Sequence, residues 1–131
     1  MSSYIDSSAA VKLVVEERES EALVGWLDEH PEIVGTLLLE TEVRRAARRM
    51  AVPQSAVTEM LEGVTLHDVT PGTFREAGAL PGDHLRSLDA LHLAAALRLG
   101  CRTVVTYDER MADAARELGF DVVAPGAGLG A

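Results

Sequence analysis

The spacing of apolar positions along the chain changes period repeatedly, and each change marks an element. Ser3–Asp6 reads as a short strand, followed by helical spacing over 8–16 and 20–29, with Pro31 ending the second helix. A second strand is expected over Glu32–Thr36, after which Leu39, Val43, Ala46, Ala47 and Met50 recur three and four residues apart. Pro53 suits the first position of a helix over 53–62 that Gly63 stops. Val64–Val69 alternates in period two, and Thr70-Pro71 opens another helix. Leu85–Leu99 is a long apolar helix closed by Gly100, Thr103–Thr106 a strand, 108–118 a helix stopped by Gly119, and Asp121–Ala124 a last strand. Short strands alternating with helices predict an α/β fold: a central parallel sheet of about five strands, covered by helices on both faces.

Composition narrows this picture. With 131 residues, 47% apolar and 25% charged, the chain has an ordinary globular balance that fits one domain and excludes a disordered or fibrous chain. The expected boundaries are a domain over 1–125 and a flexible Gly/Ala tail over 126–131. A single cysteine, Cys101, excludes an internal disulfide framework, and buried packing is its expected role. No apolar stretch is long enough for a membrane span, and the first residues lack a secretion signal, so the expected compartment is the cytoplasm. The net charge of −9 argues against non-specific duplex binding, although eleven of the twelve basic residues are Arg, suited to bidentate phosphate contacts. Arg44, Arg45, Arg48 and Arg49 form the only dense basic cluster: either a solvated helix face or an RNA-backbone contact centred on Arg45 and Arg49.

The acids are more informative than the bases. Asp89 lies in the helix that is apolar around its whole circumference, where a carboxylate must pair, ligate a cation or take up a proton. A salt bridge to Arg86 or a buried cap is the plain alternative. Asp6 and Asp108 end strands, and in a parallel α/β sheet strand C-termini face the crevice where ligands bind. Each is equally a good helix N-cap. Glu40 has Arg44 four residues on and Glu42 has Arg45 three on, so both suit surface pairs and helical geometry does not separate them. His92, three residues after Asp89, reads as a satisfied buried histidine; His30, His67 and His84 show no ligand spacing, and Trp26 reads as core or interface.

Tyr4-Ile5-Asp6-Ser7-Ser8, Glu42-Val43-Arg44-Arg45-Ala46, Leu88-Asp89-Ala90-Leu91-His92-Leu93-Ala94 and Val105-Thr106-Tyr107-Asp108-Glu109-Arg110-Met111 together resemble the motifs of the PIN-domain ribonucleases, most closely the VapC toxins of toxin–antitoxin pairs. The order, the spacing and the length match from residue 3 to about Pro125. The resemblance places the family's carboxylates on Asp6, Glu42, Asp89 and Asp108, with a supporting hydroxyl at Ser8 or Thr106. Asp113 stands where some relatives carry a fifth acid, although Arg110 and Arg116 favour a surface pair. The resemblance also implies a small antitoxin partner, a toxin homodimer and an RNA substrate such as tRNA or ribosomal RNA.

Clustered carboxylates repel one another unless a dication neutralises them, and oxygen-only ligands suit Mg²⁺ or Mn²⁺. One or two such ions are expected; two would change the formal charge from −9 to −5. The implied reaction is hydrolysis of RNA phosphodiester bonds by a metal-activated water. A catalytically inactive PIN module used for protein or RNA binding is the competing reading. A phosphoacceptor signalling domain fits poorly, because Asp6 stands alone at the first strand and Lys12 is the only lysine.

Overall fold

A computed structural model describes residues 1–127. The elements in chain order are β1 (Ser3–Ile5), α1 (Ser7–Ala10) running into a 3₁₀ turn over Val11–Leu13, α2 (Ser20–Glu29), β2 (Ile33–Thr36), α3 (Leu37–Arg49) and α4 (Gln54–Leu61). There follow β3 (Thr65–His67), α5 (Pro71–Ala79), α6 (Ser87–Arg98), β4 (Thr103–Val105), α7 (Glu109–Glu117) and β5 (Asp121–Val123). The five strands pair in the order β3-β2-β1-β4-β5, all parallel, as the alternation of elements predicts.

Neighbouring residues of one strand serve opposite cores, because side chains alternate across a sheet. Ile5 and Val105 pack with Leu23, Leu39, Val43 and Val57 beneath α1 to α4. Tyr4 and Val104 pack with Leu93, Met111 and Ala115 beneath α6 and α7. The result is an α/β/α sandwich in which Cys101 is a buried packing residue.

Several boundaries differ from the sequence expectation: the strand expected over Val64–Val69 is confined to Thr65–His67, and the helix expected from Leu85 begins at Ser87. The helix expected over 8–16 is abandoned after Leu13, where Ser20 Oγ donates to the Lys12 carbonyl (2.7 Å) and accepts from the Glu17 N–H (2.9 Å). A side chain from the next helix thus takes over groups that a further helical turn would have used. Pro53 caps α4 rather than opening it. The domain expected to end at Pro125 has that residue's carbonyl accepting from Tyr107 Oη (2.6 Å), and of the tail expected to be flexible over 126–131, Ala127 donates its N–H to the Ala124 carbonyl (3.0 Å). The rest of that tail, 128–131, lies outside the described residues.

The topology also fixes where a site belongs. From β1 the chain winds outward through β2 and β3, then returns to place β4 on the other side of β1. The loops after β1 and β4 therefore diverge at their C-terminal ends, opening a crevice at the switch point.

Candidate active site

Asp6 follows β1 at this crevice, and the residue is 4% exposed. It is both an N-cap and a junction between loops. Oδ1 accepts from the Ala9 N–H (3.1 Å) and from Ser8 Oγ (2.7 Å), while Oδ2 accepts from Thr106 Oγ1 (2.5 Å). Thr106 Oγ1 also accepts from the Asp108 N–H (3.1 Å), and Ser8 Oγ from the Tyr107 N–H (2.9 Å). The two hydroxyls expected near the site thus tie the loop carrying Asp6 to the loop carrying Asp108. Burial pushes the Asp6 carboxyl above the usual carboxylate range; the bonds from Thr106, Ser8 and Ala9 and the nearby His92 oppose that shift.

Asp108 caps α7, accepting from the N–H groups of Arg110 (2.9 Å) and Met111 (3.3 Å) through Oδ1. The capping alternative and the crevice placement are both realised, for the same reason: a residue between a strand's C-terminus and a helix's N-terminus faces the crevice while it caps.

Asp89 stands in the first turn of α6, where burial acts on its carboxyl although the residue keeps access to solvent. The expected ion pair with Arg86 does not form among the described residues; Asp89 has no hydrogen-bond partner there, and Arg86 acts on it only at longer range. Its carboxyl is raised by burial, then by the negative charge of Asp108 and, more weakly, that of Glu42, with His92 and Arg86 opposing. The positive end of the α6 dipole partly offsets that repulsion. Asp89 therefore feels two of the other three acids, which arrive from different elements.

Glu42 departs from expectation. Its partner is not Arg45 on its own helix but His92 on α6, with Nε2 to Oε1 at 2.5 Å. The other ring nitrogen, Nδ1, meets Tyr4 Oη at 2.6 Å. His92 is the satisfied buried histidine that the sequence suggests, yet one of the groups satisfying it is a candidate site acid. Tyr4 is the residue that sequence reasoning overlooks. Only faint signals mark the pair: Tyr4 is two residues before Asp6 in a strand, and His92 three after Asp89 in a helix, each the spacing of a shared face. Glu40 and Arg44 do pair on the surface (2.8 Å), and Arg44 also reaches Gln54 and Thr58. Arg45 and Arg49 are exposed and make no ion pair among the described residues. Asp113 pairs weakly with Arg116 at 3.5 Å, the surface pair its neighbours favour. A cavity of about 420 Å³, lined by Lys12, Thr106, Tyr107, Asp108, Asp113 and Arg116 among others, adjoins the crevice.

A model of the PIN domain family matches residues 3–117. The chain belongs to the PIN domain family. It is 40% identical to Ribonuclease VapC35 of Mycobacterium tuberculosis, an alignment covering 94% of this chain and 96% of that one. Ribonuclease VapC46 of the same species is 41% identical, over 93% of this chain and 96% of its own length. Within the PIN domains it is therefore of the VapC type. Among solved structures, VapC20 of M. tuberculosis, a sarcin-ricin loop cleaving toxin, shares the fold at a TM-score of 0.74 and 17% identity, over 94% of this chain and 99% of that one. A chain of a toxin–antitoxin complex from Klebsiella pneumoniae does so at 0.72 and 22%, over 94% and 97%.

Whether this PIN domain suits a divalent ion is a question of donor chemistry. Among the described residues no three Asp, Glu, His or Cys side chains close into a ready metal cage. All three acids around α6 keep an oxygen uncommitted among the described residues: Asp89 has no protein partner, Asp108 caps through Oδ1 alone, and Glu42 meets His92 through Oε1 alone. Mg²⁺ is commonly held by one or two carboxylates and several waters, so this open set of hard oxygen donors fits a hydrated Mg²⁺ or Mn²⁺. No helix among the described residues is long and apolar enough to cross a membrane.

Proposed function

We propose that this PIN domain is an endoribonuclease, the toxin of a toxin–antitoxin pair, and that Asp6, Glu42, Asp89 and Asp108 form its site. One observation carries the reading: at the crevice, the Asp89 carboxyl is raised by burial and by the charges of Asp108 and Glu42, and is left without a paired cation among the described residues. Such a cluster is stabilised by a dication and otherwise strained by its own repulsion. The VapC ribonucleases of similar sequence support the activity, and the toxin–antitoxin complex of similar fold supports the partner class.

In this reading Asp89 and Asp108 hold Mg²⁺ or Mn²⁺, with Glu42 beside them. When bound, the ion supplies neutralisation of the cluster, activation of water for in-line attack on phosphorus, and charge stabilisation at the departing 3′-oxygen. The protein contributes geometry. Asp6 is sealed at 4% exposure and engaged by Ser8, Thr106 and Ala9, so its first role is to lock the two crevice loops in register. Glu42 orients toward the cluster from α3, and Arg45 and Arg49 on the same helix offer phosphate contacts that the molecule's net charge of −9 otherwise discourages. A small antitoxin masks this site, and the active toxin is a homodimer.

The test is cleavage of total cellular RNA by the purified chain, freed of any partner, with Mg²⁺ or Mn²⁺ and with new 5′ ends mapped by sequencing. Discrete cuts that vanish with EDTA and in Asp89→Asn are expected. Cuts that survive in folded Asp89→Asn would rule out this site. No cuts from folded, metal-binding protein would favour the inactive binding module instead.

A further inference from the structure

Three elements carry or adjoin three of the four acids, and one hydrogen-bonded chain joins those elements. It runs from Tyr4 on β1, two residues before Asp6, to His92 on α6, three residues after Asp89, and ends at Glu42 on α3. We propose that His92, anchored by Tyr4, is a positioning residue that holds the Glu42 carboxylate at the acidic cluster through a hydrogen bond from Nε2. This inference rests on the nuclease reading above and adds to it a means by which the cluster keeps its shape.

The geometry leaves little freedom in the bond. A carboxylate only accepts, so Nε2 carries the hydrogen and donates, while Nδ1 is held by the Tyr4 hydroxyl. Tyr4 is fully buried and His92 is 1% exposed, so the imidazole is clamped by packing and touches no substrate. It acts only through Glu42, whose side chain is 25% exposed and lies between the core and the crevice.

Glu42 needs such a restraint. Its side chain has three rotatable bonds, Asp89 repels it, and Arg45 on the outer face of the same helix offers an exposed competing partner. All three pull it toward solvent. A hydrogen bond of 2.5 Å from a buried, pre-oriented N–H to the charged carboxylate opposes them, which is how carboxylates beside metal ions are commonly steered.

Isothermal titration of Mn²⁺ into the metal-free full chain tests this, alongside single-turnover cleavage of a mapped RNA. His92→Leu is expected to weaken Mn²⁺ binding by about tenfold or more and to slow cleavage, with RNA affinity unchanged. Tyr4→Phe, which removes only the anchor, gives a smaller loss, and His92→Gln, which keeps an N–H donor, recovers part of it. A purely structural histidine would lower the melting temperature and leave Mn²⁺ affinity intact, so folded His92→Leu with native affinity overturns the inference. Should His92→Leu fail to fold, native Mn²⁺ affinity in both Tyr4→Phe and His92→Gln overturns it equally. A native protein that neither binds Mn²⁺ nor cleaves RNA refutes the nuclease reading, and this inference falls with it.

Discussion

Two carboxyls in this PIN domain sit where their charge is disfavoured. Asp6 is raised chiefly by burial, and Asp89 by burial and by Asp108 and Glu42. Each binds its proton more tightly in the folded chain than in the unfolded one. Their contribution is therefore fully present below the ordinary carboxyl value of 3.8 and is lost as pH rises through the higher folded value. Asp89→Asn removes one such charge without removing a hydrogen bond. In EDTA the variant is expected to melt above the native protein, by a margin that widens with pH across the carboxyl range; a margin independent of pH would contradict the assignment. Added Mg²⁺ should reverse the order, because ligand binding stabilises only a chain that retains the site.

Helix ends carry much of the chemistry. Asp108 has two functions that substitution can separate, because asparagine caps a helix about as well as aspartate does. Asp108→Asn is expected to keep the bonds to Arg110 and Met111, melt no lower than the native protein in EDTA because its repulsion with Asp89 is also removed, and lose cleavage. Asp108→Ala should lose cleavage and also about 1 kcal/mol of stability, read by denaturant unfolding. Equal stability of the two variants would mean that the cap is energetically idle. The elements themselves are largely legible in the sequence. Pro71 after the capping Thr70, and the glycines Gly100 and Gly119 at φ of +71° and +91°, punctuate the helices where the pattern says they should begin and end. The first helix is not legible in full, because its stop is made by Ser20, a side chain that belongs to the next helix.

Over the whole molecule, charge is the feature at odds with an RNA substrate. The net value is −9, yet on α3 Arg45 and Arg49 are exposed and form no ion pair among the described residues, while Glu42, on the same side of the helix, is engaged by His92. With that carboxylate drawn to His92, the exposed surface of the helix is locally basic. Arg45→Ala with Arg49→Ala is expected to weaken RNA binding and to reduce the slope of log affinity against log salt by about 0.7 for each phosphate that the variant no longer neutralises. An unchanged slope in a filter-binding titration would leave the cluster a solvated face. Parallel pairing sets the other large-scale property, since β1 and β4 bring Asp6 and Thr106 together across a separation of 100 positions.

The sequence by itself determined the α/β alternation and the parallel sheet, because periodicity and caps are local properties of a chain, and its resemblance to the PIN-domain ribonucleases supplied the candidate acids. What it left open was each acid's partner. Glu42 reads as a surface pair with Arg45 until the fold brings His92 of α6 beside it, and His92 reads as an ordinary core histidine until Tyr4 and Glu42 are found on its two nitrogens. Those partners lie 88 and 50 residues away. Only the folding of three separate elements onto one another brings them within reach of a hydrogen bond, and a hydrogen bond carries no trace along the chain.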